Sequence, residues 1–595
     1  MNMHKSRSLS LQSIQTLWRH GLCALVLGLA ACGGDDGGST GDGGTPVPAP
    51  VPVPAPPPSG TPTQTLSVQS SAGGTVSSSP TGIAACNATC SASFAEGTVV
   101  TLTATAAQGF TFSGWSGAGC SGTGTCAVTL SAARTVTASF AGAAAAGTSY
   151  FVATDGSDSA NGTSLSTPFK TLAKAVGVAK AGDVVEVLAG TYDVTSSNGF
   201  GLVIRTQGTE QAWITLRGYN GARPVLKSTG SESTVYFYNG ACDENVIGNT
   251  SGNTTCFASF WILQGLEIQG SAGGGGDGNA VKIDTSKVKL VGNKLCCSVA
   301  DVVKLVRTAN DVEVLDNEIW QDVTKVTPGT NAQGVDIVGA DRARVAGNYV
   351  HDVPDFGIYA KGNARNPIFE NNRLVNIGRA DNGHALMLGQ ETDEDRLADG
   401  NFETYDGIVR NNVVVNSTWA CLAVSSSSNA RFYNNSCFNT ATSSQASIFI
   451  SNESEVKQVN VGLEFSNNIV YGSANRPVFK LNSDAMTDAS TLLLEKNLFF
   501  VPGGNPVFVL NDNQVNFAAW KTGYRALTGH DDSSLAVADP LYAITAGTST
   551  TPLTLQSTSP VMGVAGKDVS ALVPTDRLGV TRPLNGKIEI GAYEY

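Results

Sequence analysis

A phrase centred on asparagine recurs through the middle of the chain and constrains its fold more than any other feature. A short polar corner ends in asparagine and leads into an apolar run, as in Gly-Asn-Lys-Leu at Asn293. The copies centre on Asn293, Asn317, Asn348, Asn372, Asn412, Asn435, Asn468 and Asn497. The closest copies are 23 or 24 residues apart, and the others carry insertions. Units this small bury their apolar faces only by stacking, and strands this short with Asn and Gly at the corners indicate a β-solenoid.

The composition fits an exported, turn-rich β protein. Charged residues make up 14% of the 595 residues, against about 25% in ordinary globular proteins, and Gly occurs 67 times. The formal net charge of -12 argues against nucleic acid as a partner, because nucleic-acid binding needs a basic surface. A polyanionic substrate would therefore need a local cationic patch or a bridging metal ion.

The N-terminus indicates export. Basic residues precede an apolar run at 22–31 that is too short to span a membrane, so residues 1–31 are predicted to be a signal peptide. Leu29-Ala30-Ala31-Cys32 resembles the lipobox of bacterial lipoproteins, which implies a lipid on Cys32. Gly33 then favours the outer membrane and the cell surface. We expect a monomer that meets the membrane through this anchor alone. The alternative is a soluble secreted protein with an ordinary signal.

Residues 32–63 are predicted to form a tether. Its first part, 33–45, is polar and rich in Gly, which makes it flexible. Its second part, 46–58, alternates Pro with Val and Ala, so it is stiff and extended. The tether would hold the remaining domains away from the membrane.

Cysteine usage agrees with an oxidising compartment. Of twelve cysteines, Cys23 leaves with the signal and Cys32 takes the lipid, so an even number remains. The expected pairs are Cys86 with Cys90, Cys120 with Cys126, Cys242 with Cys256, and Cys421 with Cys437. The adjacent Cys296 and Cys297 are left unassigned. Metal binding is disfavoured because no His accompanies these cysteines.

Residues 64–141 form a separate small domain of alternating Val, Thr and Ser. Its segment Gly109-Phe-Thr-Phe-Ser-Gly-Trp115 and the flanking Thr-Val-Thr-Ala-Ser-Phe strand resemble the divergent bacterial surface repeat related to internalin B-repeats. The resemblance covers about one repeat. It implies an all-β spacer or adhesion module.

Residues 149–595 form the large domain. Helical spacing at 171–180, followed by a strand and turn at 182–192, closely resembles the N-terminal cap of right-handed parallel β-helix proteins of the pectate-lyase-like superfamily. Residues 576–595 resemble the closing segment of many secreted members. The expected fold is therefore all-β: a right-handed parallel β-helix with an N-terminal helical cap and a C-terminal capping segment. The reaction stays open, because the superfamily includes lyases, hydrolases, epimerases and non-enzymes.

Apolar alternation aligns successive coils. Alternate residues of a strand face opposite sides, so the apolar positions in phrases such as Ala-Val-Lys-Ile at 280–283 point inward. One outward column then contains Lys282, Lys304, Asp336, Tyr359 and Met387, and a second contains Asp284, Val306, Val338, Lys361 and Gly389. Stacked strands are about 4.8 Å apart. This spacing predicts that Lys304, Asp336, Tyr359 and Lys361 lie within roughly 10 Å of one another on one exposed face.

This cluster is the predicted active site. In polysaccharide lyases of the superfamily the cleft crosses such a face, and β-elimination needs a neutralised uronate carboxylate and a base. Lys304 or Lys361 would be the base if neighbouring positive charge lowers its pKa. Positive charge would come from the substrate-binding residues Lys282 and Arg307 and from the other lysine. Asp336 would bind Ca²⁺, a lysine or a sugar hydroxyl. Tyr359 would donate a proton or stack on the sugar.

Polar residues in the turns add candidates. His351 and His384 are predicted to bind substrate, and Asp352 and Asp355 are predicted to join Asp336 around a calcium ion. An acidic insertion at 391–399 would wall the cleft. The chain departs from family 9 pectate lyases, because their dense Asp-Asp-Gly-Trp-Asp calcium motif is missing.

Three functions follow, in order of preference. The first is a polysaccharide lyase acting on an acidic glycan such as pectate or alginate. The second is a non-catalytic glycan-binding or adhesive surface protein, since exposed Lys and Asp on a solenoid often only solvate it. The third is a hydrolase or epimerase. Paired-carboxylate hydrolysis is disfavoured because the column offers one clear acid.

Overall fold

The computed structural model describes most of the chain beyond the tether. It covers residues 62–595 except for 108–109, 143–146, 197–198, 239–257, 272–277, 323–325, 327–330, 379–382, 391, 393–396, 398–400, 453–457, 536–538 and 544–552. The predicted signal peptide, the lipidated Cys32 and nearly all of the tether lie outside the described residues.

The first described domain is a small all-β unit with two sheets. The four-stranded sheet contains, in spatial order, Thr89–Ala95, Thr63–Ser70, Arg134–Gly142 and Phe110–Ser116. The three-stranded sheet contains Gly74–Ser79, Val99–Ala106 and Cys126–Thr129. Alternate residues such as Leu66, Val68 and Val136 point into the core of this domain, as the period-2 pattern requires.

Three long parallel sheets form the large domain. Each coil contributes one strand to each sheet, and the coils succeed one another in strict chain order.

Sheet 1 consists of Ser149–Val152, Val184–Val187, Ile214–Gly218, Trp261–Gln264, Val288–Val291, Glu313–Leu315, Arg344–Ala346, Ile368–Glu370, Ile408–Arg410, Arg431–Tyr433, Glu464–Ser466 and Leu493–Glu495. Sheet 2 consists of Thr191–Asp193, Val225–Lys227, Glu267–Gln269, Lys294–Cys296, Glu318–Trp320, Tyr349–Val353, Arg373–Ile377, Val413–Ser417, Ser436–Thr440, Ile469–Gly472 and Leu498–Phe500. Sheet 3 consists of Leu202–Ile204, Val235–Phe237, Val281–Ile283, Val303–Leu305, Val335–Val338, Ile358–Lys361, Leu386–Leu388, Leu422–Ser425, Ile448–Ser451, Phe479–Leu481, Val507–Leu510 and the antiparallel Asn513–Asn516. A short ladder of Ala364–Arg365, Thr404–Tyr405 and Ser427–Ser428 runs between sheets 3 and 1.

The repeated asparagines form one buried ladder at the corner between sheets 1 and 2. The side-chain amide of Asn293 donates to Asn317, which donates to Asn348, and the pattern continues to Asn497 with donor–acceptor distances of 2.9 or 3.0 Å. Each amide also donates to a backbone carbonyl one coil back, such as that of Leu290 for Asn317. The polar groups of a buried corner are thereby satisfied, as burial demands.

Helices close both ends of the stack. The N-terminal helix Leu172–Val178 begins at Thr171, whose hydroxyl accepts a hydrogen bond from the amide of Lys174, and it buries Leu172 and Val176. The helix predicted at 171–180 is therefore confirmed, with the bounds Leu172–Val178. At the other end, the helix Phe517–Thr528 lays Trp520 against Phe479 and Phe508, with ring centroids 5.0 and 5.2 Å apart. Each helix covers core residues that the coil at its end of the stack would leave open to solvent.

The C-terminal segment does something different from the capping that its resemblance implied. It runs along the corner between sheets 1 and 2, where Asn434 donates to the carbonyls of Glu589 and Gly591. Arg582 and Glu594 form an ion pair with fully buried side chains inside this segment. The segment therefore straps the flank of the coils, while the helix Phe517–Thr528 closes the end.

Three of the four predicted disulfides form: Cys86–Cys90, Cys120–Cys126 and Cys421–Cys437. Cys242 and Cys256 lie outside the described residues. The unassigned neighbours Cys296 and Cys297 are bonded to each other.

Candidate functional site

Long insertions flank sheet 3 on both sides. The corner from sheet 1 to sheet 2 is only two residues long in many coils, such as Gly292 and Asn293. In contrast, 270–280 and 321–334 separate strands of sheet 2 from strands of sheet 3, and 389–403 follows a strand of sheet 3. Large parts of these insertions lie outside the described residues. Insertions grouped around one sheet mark its outer face as the candidate site.

The predicted register of this face is confirmed. Lys282 pairs with Lys304, Lys304 with Asp336, Asp336 with Tyr359, and Tyr359 with Met387. In the second column, Val338 pairs with Lys361. The apolar residues between the columns, such as Val303 and Ile337, are fully buried in the core. The pleat thus places the two outward columns where the alternation predicted.

The prediction that the first column is exposed is wrong. Asp336 and Tyr359 are each only 1% exposed, and Met387 is 2% exposed. Tyr359 and Met387 pack in an outer apolar cluster that also contains Phe356, Ala420, Ala423 and Phe449. Tyr359 therefore cannot serve as an open stacking platform. Burial, together with the charge of Asp336, raises its pKa well above the ordinary value, so it stays a protonated phenol.

Lys304 is held between two carboxylates. Its Nζ lies 3.1 Å from Oδ2 of Asp301 and 3.3 Å from Oδ2 of Asp336. Burial alone would lower the pKa of Lys304, but the charges of Asp336 and Asp301 outweigh burial and raise it. The predicted lowering of this pKa is therefore wrong, and Lys304 remains an ammonium group at neutral pH. This argues against Lys304 as the base.

The alternation in the sequence does not predict Asp301 as a site residue, because Asp301 precedes its strand and belongs to neither outward column. It is fully buried, and burial together with the charge of Asp336 raises its pKa to about 7. Its other oxygen accepts a hydrogen bond from the amide of Gln333 at 3.4 Å. The only signal in the sequence is its position three residues before Lys304. Asp301 and Asp336 thus both flank Lys304, whereas the first column contains Asp336 alone.

Lys361 occupies the second column, beside the first. Its Nζ lies 5.4 Å from the centroid of the Tyr359 ring, within cation–π distance. Burial raises the pKa of Glu403, and the positive charge of Lys361 partly offsets that rise. Glu403 accepts hydrogen bonds from the amides of Gly362 and Thr392, so it ties an insertion to the strand that carries Lys361.

Arg307 reaches across a glycine toward the coil of Lys361. A methyl group at Gly339 would lie 2.7 Å from Cγ of Arg307 and 2.8 Å from the carbonyl oxygen of Gly362. Gly339 also has a φ of +71°, which a residue with a side chain rarely adopts. The glycine therefore leaves space in which the arginine passes between coils. Arg307, Lys361, Lys304 and Lys282 give this face a cationic cluster in an acidic protein.

The two histidines do not join this cluster. His351 lies on the outer face of sheet 2, stacked on Trp320 and Tyr349, with Nδ1 2.8 Å from Asp352. His384 borders sheet 3 but is buried beside Trp419 and Phe449, and burial lowers its pKa to about 3. The structure therefore places neither histidine with the cationic cluster, and their contact with substrate stays a prediction.

The predicted calcium ligands do not come together. Asp352 is exposed on the side of sheet 2, while buried Asp355 accepts a hydrogen bond from the amide of Ala332. Asp336 is engaged by Lys304. Among the residues that the structure describes, no group of three or more His, Cys, Asp or Glu side chains is placed to hold a metal ion. The acidic residues Asp393, Glu394, Asp395 and Asp399 lie outside the described residues.

Comparison with protein families now identifies both domains. Residues 150–435 match the family described as the Pel9A-like, right-handed β-helix region. This part of the chain is a right-handed parallel β-helix that is similar to that family. Residues 64–144 match the divergent InlB B-repeat domain. No curated protein matches the chain. The described helices include none that is both long and apolar enough to cross a membrane.

Solved structures similar to this chain are distant. The crystal structure of pectate lyase Pel9A is 14% identical, with 76% of this chain and 97% of that chain covered and a TM-score of 0.46. The complex of XylC with xylose is 12% identical, covering 75% and 98%, with a TM-score of 0.43. PfbA, a surface adhesin of Streptococcus pneumoniae, is 9% identical, covering 56% and 87%, with a TM-score of 0.33. All three are similar to this chain at less than 15% identity, and the chemistry is argued from the site.

Proposed function

We propose that this protein is a polysaccharide lyase that cleaves an acidic, pectate-like or alginate-like glycan by β-elimination on the outer face of sheet 3. One observation carries the proposal: a chain of net charge -12 gathers Lys282, Lys304, Arg307 and Lys361 on the one face that long insertions flank. Such a local field would attract a polyanion to a protein that otherwise repels it.

The proposed mechanism divides the work between the two lysines. Lys304, held as an ammonium group by Asp301 and Asp336, fixes the strands under the face, and Lys361 and Arg307 contribute the positive charge that favours a uronate carboxylate. Arg307 offers a planar guanidinium that suits a carboxylate. Lys361 takes the proton from the carbon next to that carboxylate. The electron pair forms a carbon–carbon double bond as the glycosidic C–O bond breaks, and the departing oxygen takes a proton from solvent water. Tyr359 supports Lys361 from below as a positioning residue.

Calcium is a separate prediction, and the proposed mechanism contains no step that uses it. The described residues offer no group of acids that would hold the ion. Calcium would have to bind with ligands from the substrate or from the acidic insertion at 391–399. Running each assay with calcium and with a chelator tests this prediction on its own.

The decisive experiment measures the ultraviolet absorbance of the unsaturated product. Full-length protein carrying Cys32→Ser, which removes the predicted lipid site, is incubated with pectate, alginate and glycosaminoglycans. We expect absorbance to rise on one polymer and to fall to background in Lys361→Ala. Lys289→Ala is the matched control, because Lys289 pairs with Glu313 on sheet 1 at 2.7 Å and lies away from the candidate face. No product from any polymer would refute the lyase, and full activity of Lys361→Ala would refute Lys361 as its base.

A second function is favoured by the ion network under the face. Asp301, Lys304 and Asp336 form a buried arrangement that is complete without a substrate, which suits a rigid binding surface better than a proton-transfer site. A non-catalytic glycan-binding protein would be retained on an affinity gel of one polymer and would yield no unsaturated product. Reduced retention of Lys361→Ala alongside wild-type retention of Lys289→Ala would place binding on the same face.

We also propose that the protein is a monomeric lipoprotein at the outer cell surface. The proposal rests on the lipobox-like Leu-Ala-Ala-Cys at 29–32 and on the Gly/Pro-rich tether after it. The InlB-like domain would then act as a spacer between the tether and the β-helix. Sedimentation of the purified protein tests the monomer.

A further inference from the structure

The outer face of sheet 3 carries a second group of residues, nearer its N-terminal end. Tyr236 and Tyr238 lie there with ring centroids 5.3 Å apart, and Phe200 stacks on Tyr236 at 6.4 Å. The guanidinium of Arg205 lies 4.4 Å from the centroid of the Tyr238 ring, and Nζ of Lys282 lies 5.4 Å from that of Tyr236. We call these five residues the aromatic cluster.

In the aromatic cluster, the side chains of Tyr238 and Arg205 are accessible, and Tyr236 beneath them is fixed. Tyr236 is only 9% exposed, and its hydroxyl donates to buried Asp284 at 3.3 Å, so its ring cannot turn freely. Tyr238 is half-buried and Arg205 is exposed, so this pair faces solvent above it. An aromatic ring packs against the apolar face of a sugar, and a guanidinium pairs with a carboxylate in two parallel hydrogen bonds. A uronate unit presents both surfaces at once.

Within the aromatic cluster, Tyr238 lies in the same column as Lys361. The amide of Tyr238 donates to the carbonyl of Ile204, that of Asp284 to Phe237, and that of Val306 to Ile283. These bonds align Tyr238 with Asp284 and Val306. The column then continues through Val338 to Lys361.

Four coil steps therefore separate Tyr238 from Lys361. At about 4.8 Å a step, the separation is ~19 Å along the axis of the solenoid. A polysaccharide lying along this axis would reach both positions, whereas a short oligosaccharide at Lys361 would not reach Tyr238.

We propose that Tyr238 and Arg205 form a distal subsite for a uronate unit of the same glycan chain whose cleavage we assign to Lys361. This inference deepens the proposed function and rests on it for the identity of the ligand. It also predicts the orientation of the substrate. The glycan lies parallel to the axis of the solenoid, crosses the coil of Lys282, and does not follow the path of a single coil. The subsite holds the polymer and takes no part in bond breaking.

The test measures binding in the absence of turnover. Lys361→Ala protein is titrated calorimetrically with oligogalacturonates and oligoguluronates, one set shorter and one longer than the ~19 Å span. Adding Tyr238→Ala or Arg205→Met is expected to weaken the long ligand about tenfold, the effect of losing about 1.4 kcal/mol, and to leave the short ligand unchanged.

Tyr349→Ala is the matched control. Arg373 lies over Tyr349 at 5.7 Å, so the pair repeats the chemistry of Arg205 over Tyr238, but on sheet 2. Binding of the long ligand should not change in this variant. Circular dichroism of every variant checks that the coils remain folded.

The outcomes separate this inference from the lyase proposal. Unchanged affinity of Tyr238→Ala for the long ligand, or equal weakening of both lengths, would overturn the subsite even if Lys361 proves to be the base. Length-dependent weakening without any unsaturated product would uphold the subsite and remove the lyase. Length-dependent weakening in Tyr349→Ala as well would also overturn the subsite, since the effect would not belong to sheet 3.

Discussion

Replacing Asp301 with asparagine tests whether the buried ion network is organised as described. The native pKa of about 7 lies above the ordinary aspartate value of 3.8. Between these two pH values the folded protein keeps a proton that the unfolded chain releases. The free energy of unfolding therefore falls as the pH rises through this window.

The magnitude follows from the width of the window. From pH 5 to pH 8, Asp301 loses its proton near pH 7, so about two pH units contribute at about 1.4 kcal/mol each. We expect this residue to account for about 3 kcal/mol of the fall in unfolding free energy over that range. Asp301→Asn carries no titrating proton, so the variant should lack this share of the pH dependence and gain relative stability at pH 8.

Urea unfolding at pH 5 and pH 8, compared between the wild type and Asp301→Asn, measures the effect. Asp531→Asn is the control, because the Asp531 side chain is 74% exposed. Infrared titration of the carboxyl C=O band gives the pKa directly, through the difference between wild type and variant. An identical pH dependence in both proteins, or a titration of Asp301 near pH 4, would refute the reasoning.

Three further predictions concern the scaffold and the anchor. Asn372→Ala should cost about 1–3 kcal/mol of unfolding free energy, because it leaves buried partners in the ladder unpaired, whereas Asn505→Ala at an exposed loop position should change it by less than about 0.5 kcal/mol; equal thermal shifts in the two variants would contradict this. Asn516→Ala should cost about 1 kcal/mol by removing the side chain that caps the C-terminal helix, with the exposed neighbour Asn513→Ala as a control, and an unchanged melting temperature would count against the cap. Cys32→Ser should release the protein from the membrane fraction into the soluble fraction, as immunoblotting would detect, and continued sedimentation with membranes would rule out the lipid anchor.

The sequence predicted the register of the candidate face because the register depends on a simple pattern. One-residue slips would turn Val303 and Leu305 outward, and burial of apolar side chains penalises that strongly. The asparagine corners then fix where each strand begins. Lys304, Asp336 and Tyr359 therefore stand in one column, as their spacing predicted.

The electrostatics of the face were not predictable in the same way. Asp301 approaches Lys304 from the corner before the strand, and alternation says nothing about where a corner directs its side chains. The burial of Tyr359 arises from apolar residues on neighbouring coils, such as Phe449, that meet it on the outer side. Both effects depend on long-range packing.

His351 was misplaced for a local reason. The sequence places His351 in the turn just before Gly357, whereas the strand Tyr349–Val353 continues sheet 2 through His351. This strand is two residues longer than the preceding strand of sheet 2, Glu318–Trp320, so the side chain of His351 lies on the face of sheet 2.

The asparagine ladder has a consequence for how such a protein changes over time. Adjacent rungs are separated by 23 to 40 residues of chain, yet the rungs meet at nearly the same distance. The ladder therefore aligns each coil with the next through direct hydrogen bonds, whatever number of residues the coil contains. Loops beside sheet 3 can lengthen, shorten or be exchanged between relatives without shifting any strand. Grafting a foreign cleft loop into 389–403 should thus alter specificity at little risk to folding, which makes this scaffold a practical starting point for engineering.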